Sequence, residues 1–156
     1  MMTIASNNAQ RGPTVQSLLA DGYEKVHTET NWYDGPRSGT ADIGGAPHFF
    51  VTDTTAGAPE DQFLVWPIQP DILELERRNY AIFVEWRQRF DKGEADTASH
   101  PLYSKPGSEY DTLARQLLSH RNPPADADRR TAKWHRLDGP HHTPEGPGYL
   151  MKWSEA

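Results

Sequence analysis

The stretch that decides the fold runs from residue 40 to residue 52 and reads Thr-Ala-Asp-Ile-Gly-Gly-Ala-Pro-His-Phe-Phe-Val-Thr. Two β-prone runs flank Gly44-Gly45, and a two-residue glycine loop favours a primed hairpin turn because both residues tolerate positive φ. That turn fixes the register of the two strands. It predicts the pairs Ile43–Ala46, Ala41–His48 and Gly39–Phe50 on one face of the sheet, and Asp42–Pro47 and Thr40–Phe49 on the other.

Further strands and two helices surround this hairpin in the sequence. β-branched and aromatic residues predict strands over 23–33, 62–68, 131–137 and 149–153. The first helix follows Pro70 and carries an apolar stripe at helical spacing, with Asn79 filling one polar gap: Ile72, Leu75, Ile82, Phe83, Trp86 and Phe90. Leu73, Tyr80 and Val84 widen this stripe, so we expect the helix to contact more than one element. The second runs from about Ser108 to Arg121. We therefore predict an α+β fold, a mainly antiparallel sheet of five to six strands packed on two helices.

Length and composition predict one domain with a short lead-in. Residues 1–17, rich in Ser, Asn, Gln, Gly and Pro, predict a disordered N-terminal segment, and residues 18–156 predict a single α+β domain. The chain has no cysteine, which excludes disulfides, thiolate metal sites and cysteine nucleophiles. No apolar run has the roughly 20 residues of a membrane helix, and the first residues do not form a secretory signal. We expect a cytoplasmic protein that does not bind membranes.

The charge balance argues against nucleic acid as a partner. The formal charge is −6, with 16 basic and 22 acidic residues, whereas nucleic-acid binders are usually basic. The segment 121–136 is an exception, since it has five basic residues against two acidic ones. A solvated face explains this excess, and a docking site for an acidic protein partner is the alternative.

The turn after the first strand supplies the first candidate site. Asp34, Arg37 and Ser38 lie beside two glycines, and His48 could approach them across the hairpin. Arginine can hold an anionic group, and histidine with aspartate can perform acid–base chemistry. The alternative is structural: Asp34 caps the turn, Arg37 is solvated, and His48 is a buried, hydrogen-bonded residue on the face of Phe50.

The C-terminal loop and the aromatic residues supply two further candidates. Asp138, His141, His142 and Glu145, with His135, are residue types that bind divalent ions. Adjacent histidines on an extended loop are expected to point apart, so we predict a solvated loop, no metal site and no cofactor. Most of the aromatic residues, including the five tryptophans, are expected in the core, and the core is favoured for any one of them. One or two, such as Phe49, are the candidates for an outward-facing partner surface.

The run Tyr33-Asp-Gly-Pro-Arg-Ser-Gly-Thr-Ala-Asp-Ile-Gly-Gly-Ala-Pro-His-Phe-Phe50 resembles a pattern in a family of small uncharacterised bacterial proteins. In that family a Tyr-Asp-Gly-Pro turn precedes a Ser-Gly, a short strand and a Gly-x-Pro-His-aromatic step. The resemblance covers about residues 30 to 95, is specific in its first 18 residues, and implies a bacterial or phage origin without an assigned activity.

Two functional hypotheses remain open at this point. The first is a binding or accessory protein that recognises another macromolecule through the hairpin face or the C-terminal loop. The second is a small enzyme or ligand-binding protein that uses Asp34, Arg37 and His48 together. The sequence contains no complete catalytic signature such as a nucleophile elbow, and this absence favours the first hypothesis. The sequence does not indicate the oligomeric state.

Overall fold

The computed structural model describes residues 12–156, which form three helices and eight strands. In chain order these are α1 (Val15–Ala20), β1 (Glu24–Trp32), β2 (Pro36–Ile43), β3 (Ala46–Thr52), β4 (Gln62–Pro67), α2 (Pro70–Asp91), α3 (Glu109–Leu118), β5 (Asp128–Arg136), β6 (His142–Thr143), β7 (Gly146–Pro147) and β8 (Tyr149–Glu155). Two short 3₁₀ turns, Thr97–Ser99 and Pro101–Tyr103, lie between α2 and α3. Within the described residues none of the helices combines the length and the apolar character needed to cross a bilayer.

The hairpin β2–β3 has the predicted register. All five predicted pairs are observed, and Gly44 and Gly45 adopt φ of 63° and 81° in the turn. The carboxylate of Glu24 accepts hydrogen bonds from both glycine amides, at 2.9 and 2.7 Å. β1 pairs with β2 and β3 with β4, both antiparallel, which confirms the predicted meander of the first four strands.

The sheet closes on itself, and this corrects the prediction of a sheet that rests on helices. Six strands form a closed barrel in the order β1-β2-β3-β4-β5-β8. β5 and β8 pair over seven residues, whereas β1 and β8 meet at only two pairs, Glu24–Met151 and Lys25–Leu150. The main core therefore fills the barrel interior and consists of Val26, Ala41, Phe50, Phe63, Val65, Ala132, Tyr149 and Met151.

A second apolar cluster lies outside the barrel, beneath the start of α2. Phe49 stacks on Trp66 with a centroid separation of 5.4 Å, and both pack near Ile68 and Leu73. Phe49, the candidate for an outward-facing partner surface and for the binding site, is therefore a core residue instead, since only 5 % of it is exposed. The alternation along β3 was assigned correctly, but α2 covers the outer face, so both faces of the strand are buried.

The buried face of α2 lies to one side of the predicted stripe. Trp86 of that stripe is buried together with Leu73, Tyr80 and Val84, the three residues predicted to widen it. The polar Asn79 is buried as well, and so is Glu76, which was not predicted on this face. Two polar residues occupy this face because Arg121 donates two hydrogen bonds to the Glu76 carboxylate, at 2.8 and 2.7 Å, and one to Asn79 Oδ1 at 3.2 Å. An ion pair thus replaces part of the apolar contact between α2 and the segment after α3.

The N-terminal boundary also differs from the prediction. Helix α1 begins at Val15, three residues before the predicted domain start, because Thr14 caps it by accepting a hydrogen bond from the Ser17 amide at 3.1 Å. Leu18 of this helix is buried. Most of the predicted disordered segment, residues 1–11, lies outside the described residues.

Candidate functional site

The seam between β1 and β8 organises the candidate site. β8 begins at Tyr149, so its pairing with β1 ends at Lys25–Leu150. The preceding segment, 140–148 with the β6–β7 pair, lies against the continuation of β1. Gly146 is required there, since it adopts a φ of 140° and a Cβ at this position would lie 2.7 Å from the Val26 carbonyl oxygen.

Three side chains that can ligate metals converge at this seam. His141 Nε2 lies 2.8 Å from Glu29 Oε1, and His142 Nδ1 lies 3.8 Å from Glu29 Oε2. Within residues 12–156, one ligand atom from each of the three residues lies within 4.8 Å of the other two. The two adjacent imidazoles approach one carboxylate because one ring uses Nε2 and the other Nδ1, with their planes at 79°. The expectation that these histidines point apart on a solvated loop is therefore wrong.

Two tyrosines complete this cluster. Tyr149 donates a hydrogen bond to Glu29 Oε1 at 3.0 Å, and Tyr80 Oη lies 3.4 Å from His142 Nδ1. Burial raises the pKa of both phenols, and the Glu29 carboxylate raises it further, so both tyrosines stay protonated. Burial, and then the neighbouring His141, lower the pKa of His142 to about 4, so its imidazole is neutral near pH 7.

Beside this cluster lies a cavity of about 350 Å³ between β1 and the helical segment 70–121. Its floor is formed by the buried Thr28, Glu76 and Asn79, and exposed residues such as Asn31 and Leu102 form its rim. Aromatic rings line its walls: Trp32, Tyr80, Phe83, His100, Tyr110 and His142. Glu29 lines the cavity as well, so the cavity and the cluster share residues.

Among the described residues that line the cavity, Asn79 has the one fully buried side-chain atom without a hydrogen-bond partner. It is 6 % exposed, and its Oδ1 accepts from Arg121, but its Nδ2 has no hydrogen-bond partner. A buried amide donor without an acceptor costs about 1–3 kcal/mol. An acceptor atom on a molecule in the cavity would remove that cost after a small rotation of the Asn79 side chain, because Nδ2 is buried in the ligand-free protein.

His100 is held in the cavity wall by packing against aromatic residues. Its ring lies 4.5 Å from Trp86 and 5.6 Å from Phe83, measured between ring centroids. Trp86 Nε1 in turn donates to Ser99 Oγ at 2.9 Å, which fixes the 3₁₀ segment against α2. Burial lowers the pKa of His100, so this wall presents a neutral ring.

The residues of the first predicted site do not come together. Asp34 and Arg37 line a shallow depression beside Trp134, whereas His48 lines a separate one beside Trp66. Asp34 adopts a φ of 53° in its turn, and Arg37 Nε donates to the Tyr33 carbonyl at 2.7 Å.

Two further predicted positions have local roles. His48 is half-buried, and its Nδ1 lies 2.7 Å from the Ala46 carbonyl oxygen. Ser38 is half-buried in β2, where it pairs with Asn31 and Val51. Neither residue contacts the cavity.

Of the predicted metal-ligand types near the C-terminus, only His141 and His142 join the cluster. His135 Nδ1 lies 2.8 Å from the Arg136 carbonyl oxygen, and Asp138 and Glu145 line a different depression. Glu29 was missed because it lies 112 residues from His141, and nothing in its local sequence distinguishes it from other acidic strand residues. Asn79 was identified only as a polar gap in an apolar stripe.

The fold and the site thus define a closed six-stranded antiparallel barrel with a cavity and a histidine–glutamate cluster at its seam. Comparisons of the chain with protein-family models, with curated proteins and with solved structures each found no match.

Proposed function

We propose that this protein binds a small, planar, uncharged molecule in the cavity between β1 and α2. The observation that carries the proposal is Asn79, which lines that cavity and whose buried Nδ2 has no hydrogen-bond partner among the described residues. Proteins rarely leave a buried donor unsatisfied, and each exception calls for an explanation. A ligand carbonyl oxygen that accepts from this amide is the explanation that the cavity favours.

The size and lining of the cavity support the same conclusion. Small-molecule sites usually measure about 300–1,000 Å³ and combine apolar or aromatic walls with a few convergent polar groups. This cavity has that volume, six aromatic or imidazole rings in its walls, and the Asn79 amide and the Glu29 carboxylate as polar groups.

The charges around the cavity favour a neutral ligand over an anionic one. Glu76 and Arg121 neutralise each other through a two-point ion pair, so they add no net charge to the floor. Glu29 has no lysine or arginine among its ion-pair partners in the described chain. A carboxylate ligand would therefore approach the Glu29 carboxylate without a lysine or arginine beside it, whereas an amide would satisfy Asn79 without that repulsion.

An NMR titration with benzamide, benzoate and benzylamine on metal-free protein tests the proposal. We expect benzamide to give saturable shifts at Asn79 and Phe83, and benzoate to bind more weakly. Ala114 lines the cavity, so Ala114→Phe fills it and should abolish the benzamide shifts. Gln116→Phe, at an exposed position on the same helix, is the matched control and should retain them. Saturable binding that survives Ala114→Phe, or no saturable shift with any probe, would refute the proposal.

The two hypotheses drawn from the sequence fare differently. Recognition of another macromolecule stays a prediction, although one motivating residue, Phe49, is buried. The alternative that uses Asp34, Arg37 and His48 together is not carried forward, because they line separate depressions. Its broader class, a small ligand-binding protein, is the one proposed here at a different place. A cytoplasmic location and the bacterial family resemblance likewise remain predictions.

A further inference from the structure

We propose that Glu29, His141 and His142 bind a divalent transition-metal ion of the Zn²⁺ type at the seam of the barrel. The three ligand atoms already lie within 4.8 Å of one another on side chains that are 7, 19 and 19 % exposed. The proposal stands apart from the small-molecule proposal, since it depends on the ligand atoms at the seam and not on the Asn79 amide.

The distances suit a small rearrangement around one ion. Zinc binds imidazole nitrogen and carboxylate oxygen at about 2.0–2.2 Å, which separates two tetrahedral ligands by roughly 3.3 Å. The observed separations from the Glu29 oxygens, 2.8 Å to His141 and 3.8 Å to His142, lie on either side of that value. An ion would replace the direct contact between His141 and Glu29, and it would draw His142 inward by a few tenths of an ångström.

The charge of the buried Glu29 carboxylate is the second argument for a metal ion at the seam. Among the described residues, three acidic side chains in ion pairs are less than a tenth exposed, and two of them pair with arginine: Glu76 with Arg121 and Asp53 with Arg129. Glu29, at 7 % exposure, has His141 and His142 as its ion-pair partners in the same part of the chain, and neither a lysine nor an arginine. Buried charges in proteins are paired or coordinate metals, and a divalent cation held by the two imidazoles would give Glu29 a permanent positive partner.

The ligand set also indicates the kind of ion and the kind of site. Two imidazoles with one carboxylate suit zinc and its neighbours, whereas magnesium and calcium prefer oxygen ligands alone. Tyr149 donates to Glu29 Oε1 and so orients the carboxylate from behind. Three protein ligands leave at least one coordination position open, and Glu29 and His142 both line the cavity. The open position would therefore be accessible from the cavity.

Cobalt absorption and zinc competition on the full chain test the site. After removal of metals with a chelator, Co²⁺ titration should give visible d–d bands that saturate at one equivalent, and Zn²⁺ should abolish them while Mg²⁺ should not. We expect Glu29→Gln and His142→Ala each to weaken Co²⁺ binding at least about tenfold. His135→Ala is the matched control, since its ring lies outside the cluster, and it should bind as the wild type does.

Binding that is unchanged in Glu29→Gln and His142→Ala would overturn the proposal, as would several weak sites without a one-equivalent endpoint. If a variant fails to fold, the wild-type protein still decides the question through paramagnetic broadening. Bound Co²⁺ should broaden the NMR signals of residues 29, 141, 142 and 149 first. Broadening centred elsewhere would contradict the site. Both readouts are made without an organic probe, so failure of the small-molecule proposal would leave them intact.

Discussion

The ion pair between α2 and the segment after α3 gives the sharpest prediction of stability. Arg121 forms a two-point contact with Glu76, whose side chain is only 2 % exposed. Arg121→Met removes the guanidinium while it retains much of the apolar stem, and so leaves a buried carboxylate without its partner. Breaking a buried pair in this way costs about 3–5 kcal/mol. This would be a large fraction of a typical unfolding free energy of about 5–15 kcal/mol.

Arg78 provides a matched control on the same helix. Arg78 also contacts one glutamate, Glu109, through two hydrogen bonds, at 2.9 and 2.6 Å. The two side chains are 57 and 56 % exposed, so solvent screens them and the pair contributes at most about 1 kcal/mol. Arg78→Met should therefore lower the unfolding free energy several times less than Arg121→Met.

Urea denaturation at pH 7, followed by tryptophan fluorescence and by circular dichroism, measures both changes. The double variant Glu76→Leu with Arg121→Met should recover most of the loss, because no unpaired charge then stays buried. If Arg121→Met costs no more than Arg78→Met, or if the double variant is no more stable than Arg121→Met alone, the buried ion pair does not have the role assigned to it here.

Two further predictions concern a close backbone approach and an acid-sensitive carboxylate. A Cβ on Gly39 would lie 2.2 Å from the Thr28 carbonyl oxygen, so Gly39→Ala should shift β1 and lower the urea midpoint. The control is Gly45→Ala, whose Cβ meets open space and which costs only the strain of a positive φ, about 1 kcal/mol. Gly39→Ala should lower the midpoint more than the control does, and equal midpoints would contradict this reasoning. Hydrogen bonds from Thr55, then from Gln62, hold the pKa of Asp53 in the folded protein below its ordinary value of 3.8. Because the pKa is lower in the folded state than in the unfolded state, ionised Asp53 stabilises the fold above about pH 4. This stability is lost as pH falls through the folded pKa, so Asp53→Asn should flatten the decline in melting temperature between pH 5 and pH 2, and an unchanged slope would contradict the assignment.

The hairpin was predictable because its information is local. Gly44-Gly45 selects the turn, the turn sets the register, and the register assigns each side chain to a face without reference to the rest of the chain. The alternation alone could not reveal that both faces are buried. Phe50 enters the barrel and Phe49 lies beneath α2, and the second burial depends on a helix that begins 21 residues later.

The barrel closure and the buried polar residues were not predictable from the sequence, because they depend on contacts between residues far apart in the chain. Two residue pairs close the seam between strands that lie at opposite ends of the chain, and no short sequence pattern encodes that contact. The sequence alone favours a solvated face or a docking site for Arg121, because its partner Glu76 lies on α2, 45 residues earlier in the chain. In each case the decisive partner is distant in sequence, and a polar residue taken by itself is more often exposed than buried.

The seam explains why the two proposed sites lie together. β8 begins at Tyr149, one residue from its last pair with β1, so the remainder of β1 is free to meet the segment that precedes β8. That segment, 140–148, brings two imidazoles to the Glu29 carboxylate, next to the cavity under α2. Glu29 and His142 belong to both sites, so occupation of one should alter the other.

A metal ion would neutralise Glu29 and remove the repulsion that disfavours anionic ligands. Benzoate should therefore bind relatively better to the zinc-loaded protein than to the metal-free protein, and an unchanged ratio of benzoate to benzamide affinity would show that the two sites are independent.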